Sequence, residues 1–153
     1  AARLGLTGLA GRASGQSFDA RVDMPCAPYS TLVPVRAGAT TGDVAARVAV
    51  RFDELFESCR LVRAIVDALP EGDVRAPLTV PSEPAFGVGL IEGWRGSVFV
   101  ALHTGGGVIT RCHPHDPSWQ NWPVLEHAII DNIVPDFPLI NKSFNLAYSG
   151  HDL

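Results

Sequence analysis

The fold of this chain is decided by residues 40–72, which read TTGDVAARVAVRFDELFESCRLVRAIVDALPEG. Thr40 followed by Asp43 resembles a capping box and places an acid in a first helical turn. Apolar residues then recur mostly at alternating steps of four and three, which puts them on one helical face. They are Val44, Val48, Phe52, Leu55, Cys59, Val62, Val66 and Leu69. Because residues 70–72 end the pattern, the sequence predicts one helix over about residues 41–69.

The apolar stripe on this helix is most simply interpreted as core packing. A helix over residues 41–69 would be about 43 Å long at 1.5 Å per residue, and one of that length needs other helices beside it. Cys59 lies on the stripe and is predicted to be a small buried apolar side chain.

A β-hairpin and a shorter helix are predicted further along the chain. Two runs rich in β-branched and aromatic residues flank a glycine triplet, which indicates a hairpin over about residues 97–112. Pro123 fits a first helical turn and Pro135 ends the pattern that follows, so a second helix is predicted over about residues 122–133.

The remaining segments are predicted to be irregular connections. Glycine is frequent in residues 1–20, proline breaks residues 21–40 and 70–87, and the tail after residue 136 has no clean period. The predicted fold class is therefore α+β, with one long helix of a helical bundle, one shorter helix, a hairpin and long irregular connections.

Composition excludes several classes of protein. With 153 residues, 46% apolar and 18% charged, the chain is one globular domain by length and too apolar to be disordered. Its net charge is −4 and Lys142 is its only lysine, so no basic stripe points to nucleic acid. No stretch reaches the ~20 apolar residues of a membrane span. Three cysteines without a CxxC argue against a disulfide framework and a thiolate-rich structural metal site.

One cluster of metal-capable side chains stands out, formed by Cys112, His113 and His115. Alternate residues of a strand share a face, so the two histidines could point the same way. A closed site needs about four ligands, and no further partner is evident in the sequence. The structural interpretation, a loop after a strand, is therefore favoured. Residue chemistry alone indicates no catalytic residue.

An ordered series of short motifs carries a family resemblance. The motifs span residues 5–8, 12–15, 28–29, 42–44, 68–72 and 92–96, and read GLTG, RASG, PY, GDV, ALPEG and EGWRG. Together they resemble the C-terminal half of the large-subunit family shared by membrane-bound, energy-converting NiFe hydrogenases and respiratory complex I. The resemblance covers nearly the whole chain. It implies that residues 1–153 form a single domain, the C-terminal part of a longer large subunit.

The end of the chain bears on metal binding through this resemblance. In NiFe hydrogenases this end resembles Asp-Pro-Cys-x-x-Cys, whose thiolates, with two from an N-terminal CxxC, hold nickel and iron. Ala147 and Gly150 fall on the cysteine positions, and soft metals there need thiolate. The resemblance thus implies lost nickel ligands. Asp152 agrees with an acid of the complex I subunit, whereas Leu153 departs from its usual arginine.

The resemblance also implies a function. The subunit would shape a quinone-type cavity and dock an iron–sulfur small subunit in a membrane-associated oxidoreductase, at the inner, cytoplasmic face of the membrane. No cofactor is expected on this chain, no quinone-binding residue is assigned to it, and the chain alone is expected to be inert. Without the N-terminal half of the large subunit, an uncovered apolar patch is expected to favour self-association.

Two alternatives remain at this stage. The first is a true NiFe hydrogenase large subunit of the formate hydrogenlyase type, which the lack of any CxxC disfavours and stoichiometric nickel would establish. The second is a structural or interaction domain without catalysis, which electron transfer in the assembled complex would distinguish.

Overall fold

A computed structural model describes residues 1–151. The helices are α1 (Gly8–Ala13), α2 (Ala20–Asp23), α3 (Val44–Asp67), α4 (Ser118–Ala128) and α5 (Phe137–Phe144), with short 3-10 turns at Ala2–Leu4 and Val134–Asp136. The strands are β1 (Ala85–Gly93), β2 (Gly96–Gly105) and β3 (Val108–His115). The predicted α+β class is confirmed. Asp152 and Leu153, which the sequence comparison singled out, lie outside the described residues.

The long helix α3 begins where the sequence predicts. The Asp43 carboxylate accepts a hydrogen bond of 2.7 Å from the backbone N–H of Ala46. This bond satisfies one of the N–H groups that lack a partner in the first turn of any helix.

Removing this cap is expected to destabilise the protein. The substitution Asp43→Ala should lower the free energy of unfolding by about 1 kcal/mol, measured by urea denaturation. Asp53→Ala, an exposed acid on the same helix, is the control and should change it by less than about 0.5 kcal/mol. Equal losses in the two variants would contradict the assignment of Asp43 as the cap.

The buried face of α3 is not the predicted one. Its buried residues are Ala46, Arg47, Val50, Glu54 and Leu61. On the predicted apolar stripe, by contrast, Phe52 is 55% exposed and Val62 59%. Cys59 is also exposed, so its predicted burial is wrong. Helices α1 and α5 pack on the face with small side chains, where Ala46 and Val50 allow close approach.

The predicted hairpin is confirmed as β2 and β3, joined at Gly106 and Gly107, but it belongs to a three-stranded antiparallel sheet in the order β1-β2-β3. The first strand was predicted as irregular up to residue 87. Gly87 and Gly89 lie within it, and glycine inside a strand weakens the sequence signal. Pairing with β2 along its whole length supplies what the local sequence lacks.

Helix α4 is displaced from its predicted bounds of about 122–133. It begins at Ser118, whose backbone N–H donates to the Asp116 carboxylate at 2.7 Å. Pro123 therefore lies inside the helix rather than in its first turn. The helix ends at Ala128, and Asp131 just beyond it has a left-handed φ of 64°.

The glycine-rich N-terminal segment is part of the core rather than a connector. All six residues of α1 are buried. Ala10 packs in one apolar cluster with residues of α4 and α5, whereas Leu9 and Ala13 pack in a second cluster with α3. Helix α1 thus joins the two halves of the core, and the tail predicted as irregular contributes α5 to it.

Candidate functional site

The terminal loop, residues 145–151, is held against the segment that leads into α4. The backbone N–H of Ala147 donates to the Ser118 hydroxyl at 3.0 Å. Gly150 is buried beside Asp116, and a Cβ atom at residue 150 would lie 2.6 Å from the Asp116 carboxyl carbon. The two positions that the resemblance aligns with metal-binding cysteines therefore lie in one tightly packed loop.

Arg95 links this loop to the start of α4. Its guanidinium donates to the backbone carbonyl of Asn145 at 3.3 Å and to the Asp116 carboxylate at 3.4 Å. The side chain is 34% exposed. These two contacts leave N–H donors of the guanidinium available beside the terminal loop.

The backbone of Arg95 is fixed where two sequence motifs cross. Its carbonyl accepts hydrogen bonds from the Asn121 amide at 2.8 Å and from the Thr7 hydroxyl at 3.3 Å. The crossing is so close that a Cβ atom at Gly8 would lie 2.2 Å from the Arg95 carbonyl carbon. One at Gly96 would lie 2.3 Å from the Thr7 hydroxyl. The motifs GLTG and EGWRG therefore meet here to position the Arg95 side chain.

A buried ionic cluster lies behind this crossing. Arg12, 2% exposed, donates from Nε to Glu54 at 2.5 Å and from Nη1 to Glu92 at 2.9 Å. Burial lowers the pKa of Arg12, but the hydrogen bonds and charges of Glu54 and Glu92 outweigh this and raise the pKa above its ordinary value. The cluster ties α1, α3 and β1 together.

Comparison with known proteins shows the family. The model of the family described as respiratory-chain NADH dehydrogenase, 49 Kd subunit, matches residues 1–86, more than half of the chain. The chain belongs to this family. The resemblance predicted from the sequence motifs is thus confirmed, and the motifs that cross at Arg95 are among those that carried it.

Curated relatives carry names from both branches of the family. The chain is 31% identical to Hydrogenase-4 component G of Escherichia coli over 88% of this chain and 24% of that protein. It is 31% identical to the carbon monoxide-induced hydrogenase of Rhodospirillum rubrum over 92% and 39%. It is 37% identical to a subunit of the NADH-quinone oxidoreductase of Anaeromyxobacter sp. over 93% and 40%. The chain thus spans about a quarter to two fifths of the length of these relatives.

A solved structure confirms the fold. A chain of the membrane-bound sulfane sulfur reductase, described as an archaeal respiratory membrane complex, superposes with a TM-score of 0.84 at 27% identity. The match covers 100% of this chain and 44% of that one. Within residues 1–151, no helix is both long and apolar enough to cross a membrane.

The cluster of Cys112, His113 and His115 is not brought to one place. Cys112 lies opposite Leu102 on the neighbouring strand and His113 lies opposite Ala101, so the cysteine and the histidines occupy opposite faces of the sheet. The His115 ring instead packs against Trp119, with ring centroids 5.8 Å apart. Among the described residues, no three or more His, Cys, Asp and Glu side chains are grouped to hold a metal ion.

Sequence reasoning missed the residues that organise the site, which are Arg12, Arg95, Asp116 and Asn121. Arg12 and Arg95 lie in quoted motifs, but only as parts of a pattern. The contacts of Asp116 and Asn121 depend on partners that adjoin them only in the folded chain. The one local signal was the acid just before α4, because an N-terminal acid suits a helix start.

The acid dependence of stability should report on Asp116. Partial burial pushes the pKa of Asp116 upward, but hydrogen bonds from Ser118 and the charge of Arg95 outweigh it and hold the pKa below its ordinary value. A carboxylate with a lowered folded pKa stabilises the fold above its unfolded pKa, and this contribution is lost as pH falls through the folded pKa. Asp116→Asn should therefore destabilise the protein at pH 7 and weaken the stability loss below about pH 4. Parallel unfolding curves of the two proteins from pH 7 to pH 2 would contradict this expectation.

Proposed function

We propose that this chain is the C-terminal part of the large subunit of a membrane-associated redox complex, where the terminal loop shapes one wall of a cavity for a quinone-type acceptor. The observation that carries the proposal is the contact of Arg95 with a loop whose positions 147 and 150 hold no side-chain donor. Relatives named as hydrogenases and as NADH-quinone oxidoreductases support a redox role.

A nickel centre does not fit the residues of this loop. Ala147 offers only a methyl group and Gly150 offers none, while nickel in such a site needs thiolate ligands. The space of a side chain at residue 150 is taken by the Asp116 carboxyl group. Cys26, Cys59 and Cys112 are all exposed and lie elsewhere in the fold. We therefore propose that the chain works without binding nickel through this loop.

The part played by Arg95 follows from its donors. A guanidinium is a fixed fork of N–H groups that is always charged. Two long contacts hold it in place, and its exposed edge remains able to donate to a carbonyl or anionic oxygen of an acceptor molecule. Such hydrogen bonds strengthen when the oxygen gains negative charge, as a quinone oxygen does on reduction. Arg95 would thus favour the reduced form while the paired, ionised Asp116 keeps it oriented.

The proposal extends to partners and location. An iron–sulfur small subunit would deliver the electrons, since we propose no cofactor on this chain. The relative in a respiratory membrane complex supports a membrane-associated assembly. We place the subunit at the inner, cytoplasmic face as a peripheral component.

The proposal is tested on the assembled complex with Arg95→Met and Arg95→Lys. The methionine variant should reduce a soluble quinone at least tenfold more slowly, and the lysine variant should keep part of the rate because it keeps the charge. Assembly and the iron–sulfur electron paramagnetic resonance signals should not change. Arg111→Met, which removes an exposed arginine on β3, is the matched control and should leave the rate unaltered.

Two results would overturn the proposal. Nickel at one atom per complex would favour the hydrogenase alternative. An unchanged quinone-reduction rate in Arg95→Met would remove Arg95 from the acceptor site.

A further inference from the structure

An apolar stripe runs along the exposed face of α3. It consists of Val48, Phe52, Leu55, Cys59, Val62 and Val66. The exposed fraction of its aliphatic and aromatic members lies between 39% at Val48 and 64% at Val66, and Cys59 is exposed as well. The spacing of four and three residues is the pattern that a second helix requires, because side chains at these positions interlock with those of a neighbouring helix.

Arginines without acidic partners border the stripe. Arg51 lies on one side and Arg63 on the other, by the 100° rotation of each helical residue. Within residues 1–151, neither has a carboxylate within 4.0 Å. The pattern suits a partner helix with acidic side chains beside its own apolar face.

Arg51 provides the sharper observation. Its Nη2 donates to the backbone carbonyl of Ser143 at 2.9 Å, but its Nε is buried and has no hydrogen-bond partner among the described residues. One turn earlier, Arg47 is 3% exposed and also lacks a carboxylate; it donates to the Ser143 hydroxyl and packs on the Phe144 ring. An unpaired N–H of a buried charged group is costly, so an acceptor from another segment should complete it.

We infer that the stripe on α3 is covered by an amphipathic helix from another segment of the same large subunit, whose acidic residue pairs with Arg51. The inference rests on the proposed function only in treating the chain as part of that subunit. The relatives have ample further chain to supply such a helix, since matched segments cover only 24–40% of their length. A second copy of this chain fits less well, because it would set the bordering arginines of one copy against those of the other.

The native thiol at Cys59 allows a direct test in the full-length subunit within its assembled complex. Alkylation by a maleimide is followed by peptide mass spectrometry, with the urea-denatured complex as the reference for a free thiol and Cys59→Ser to assign the signal. Cys59 should react at least tenfold more slowly in the native complex. Asp53→Cys, at an exposed position of α3 away from the stripe, is the matched control and should react readily.

A bifunctional maleimide with an amine-reactive arm then identifies what covers Cys59. A cross-link to another segment of the large subunit supports the inference. A cross-link to a second copy of this chain or to a different subunit overturns it, as does free reactivity of Cys59 or protection of both positions.

The role of Arg51 is tested with the same labelling. Arg51→Glu should expose Cys59 and raise its labelling at least fivefold, whereas Arg51→Lys should leave it protected. Arg60→Glu changes an arginine that pairs only with Glu57 near the stripe and should also leave it protected. Equal labelling in all three variants would overturn the pairing with Arg51. Neither measurement uses redox activity, so a failure of the proposed acceptor site would leave these results unaffected.

Discussion

Replacing Arg12 with methionine is expected to lower the free energy of unfolding by about 3–5 kcal/mol, because it leaves two buried carboxylates without their counter-charge. Glu54 and Glu92 both bind this one guanidinium, and their side chains are 4% and 2% exposed. Ser97 and the backbone N–H of Ala20 also donate to Glu92, but neither supplies a positive charge.

The pH dependence separates this mechanism from simple loss of packing. Without Arg12, the pKa of each buried carboxyl should rise above its unfolded value, since burial disfavours the charged form. The folded state then binds more protons, so the penalty should be greatest at neutral pH and shrink as pH falls toward 4. Arg60→Met is the control, because it breaks an exposed pair and should cost less than about 1 kcal/mol. A loss in Arg12→Met that is equal at pH 7 and pH 4.5 would contradict the electrostatic explanation.

The same cluster explains why the sequence predicted α3 but not its buried face. The cap at Asp43 and the apolar period are local signals, and they locate the helix. Burial of Glu54 depends on Arg12, 42 residues away, and no periodic pattern records such a pair. The apolar period instead describes the stripe that the described residues leave exposed. The period is therefore consistent with a second helix beside the stripe, as we infer above.

The candidate site shows the same limit. The motif that contains Arg95 is recognisable in the sequence, but its contacts with Asp116 and Asn145 join positions 21 and 50 residues apart. Glycine misled the analysis of the N-terminal segment, because glycines usually mark loops. In α1 they serve close packing, which becomes evident only when the opposing backbone at Arg95 is in place.

This close packing leads to the second large expected effect, that of Gly8→Ala. Gly8 has a left-handed φ of 65°, and a Cβ atom there would lie 2.2 Å from the backbone carbon of Arg95. The left-handed conformation alone costs an L-residue about 1–2 kcal/mol, and overpacking adds about 1–3 kcal/mol. Because the obstacle is backbone rather than a flexible side chain, the free energy of unfolding should fall by about 3 kcal/mol or more.

Gly5→Ala separates the two contributions, because Gly5 has the same φ of 65° but no atom within 4 Å of its Cβ position. It should cost only the conformational part, about 1–2 kcal/mol, in urea unfolding measured beside Gly8→Ala. The difference between the two variants then measures how rigidly the crossing holds Arg95. Equal losses would mean that the backbone at Arg95 yields to a methyl group. In that case the crossing could not fix the guanidinium beside the terminal loop, and the geometric basis for a positioned Arg95 would fail with it.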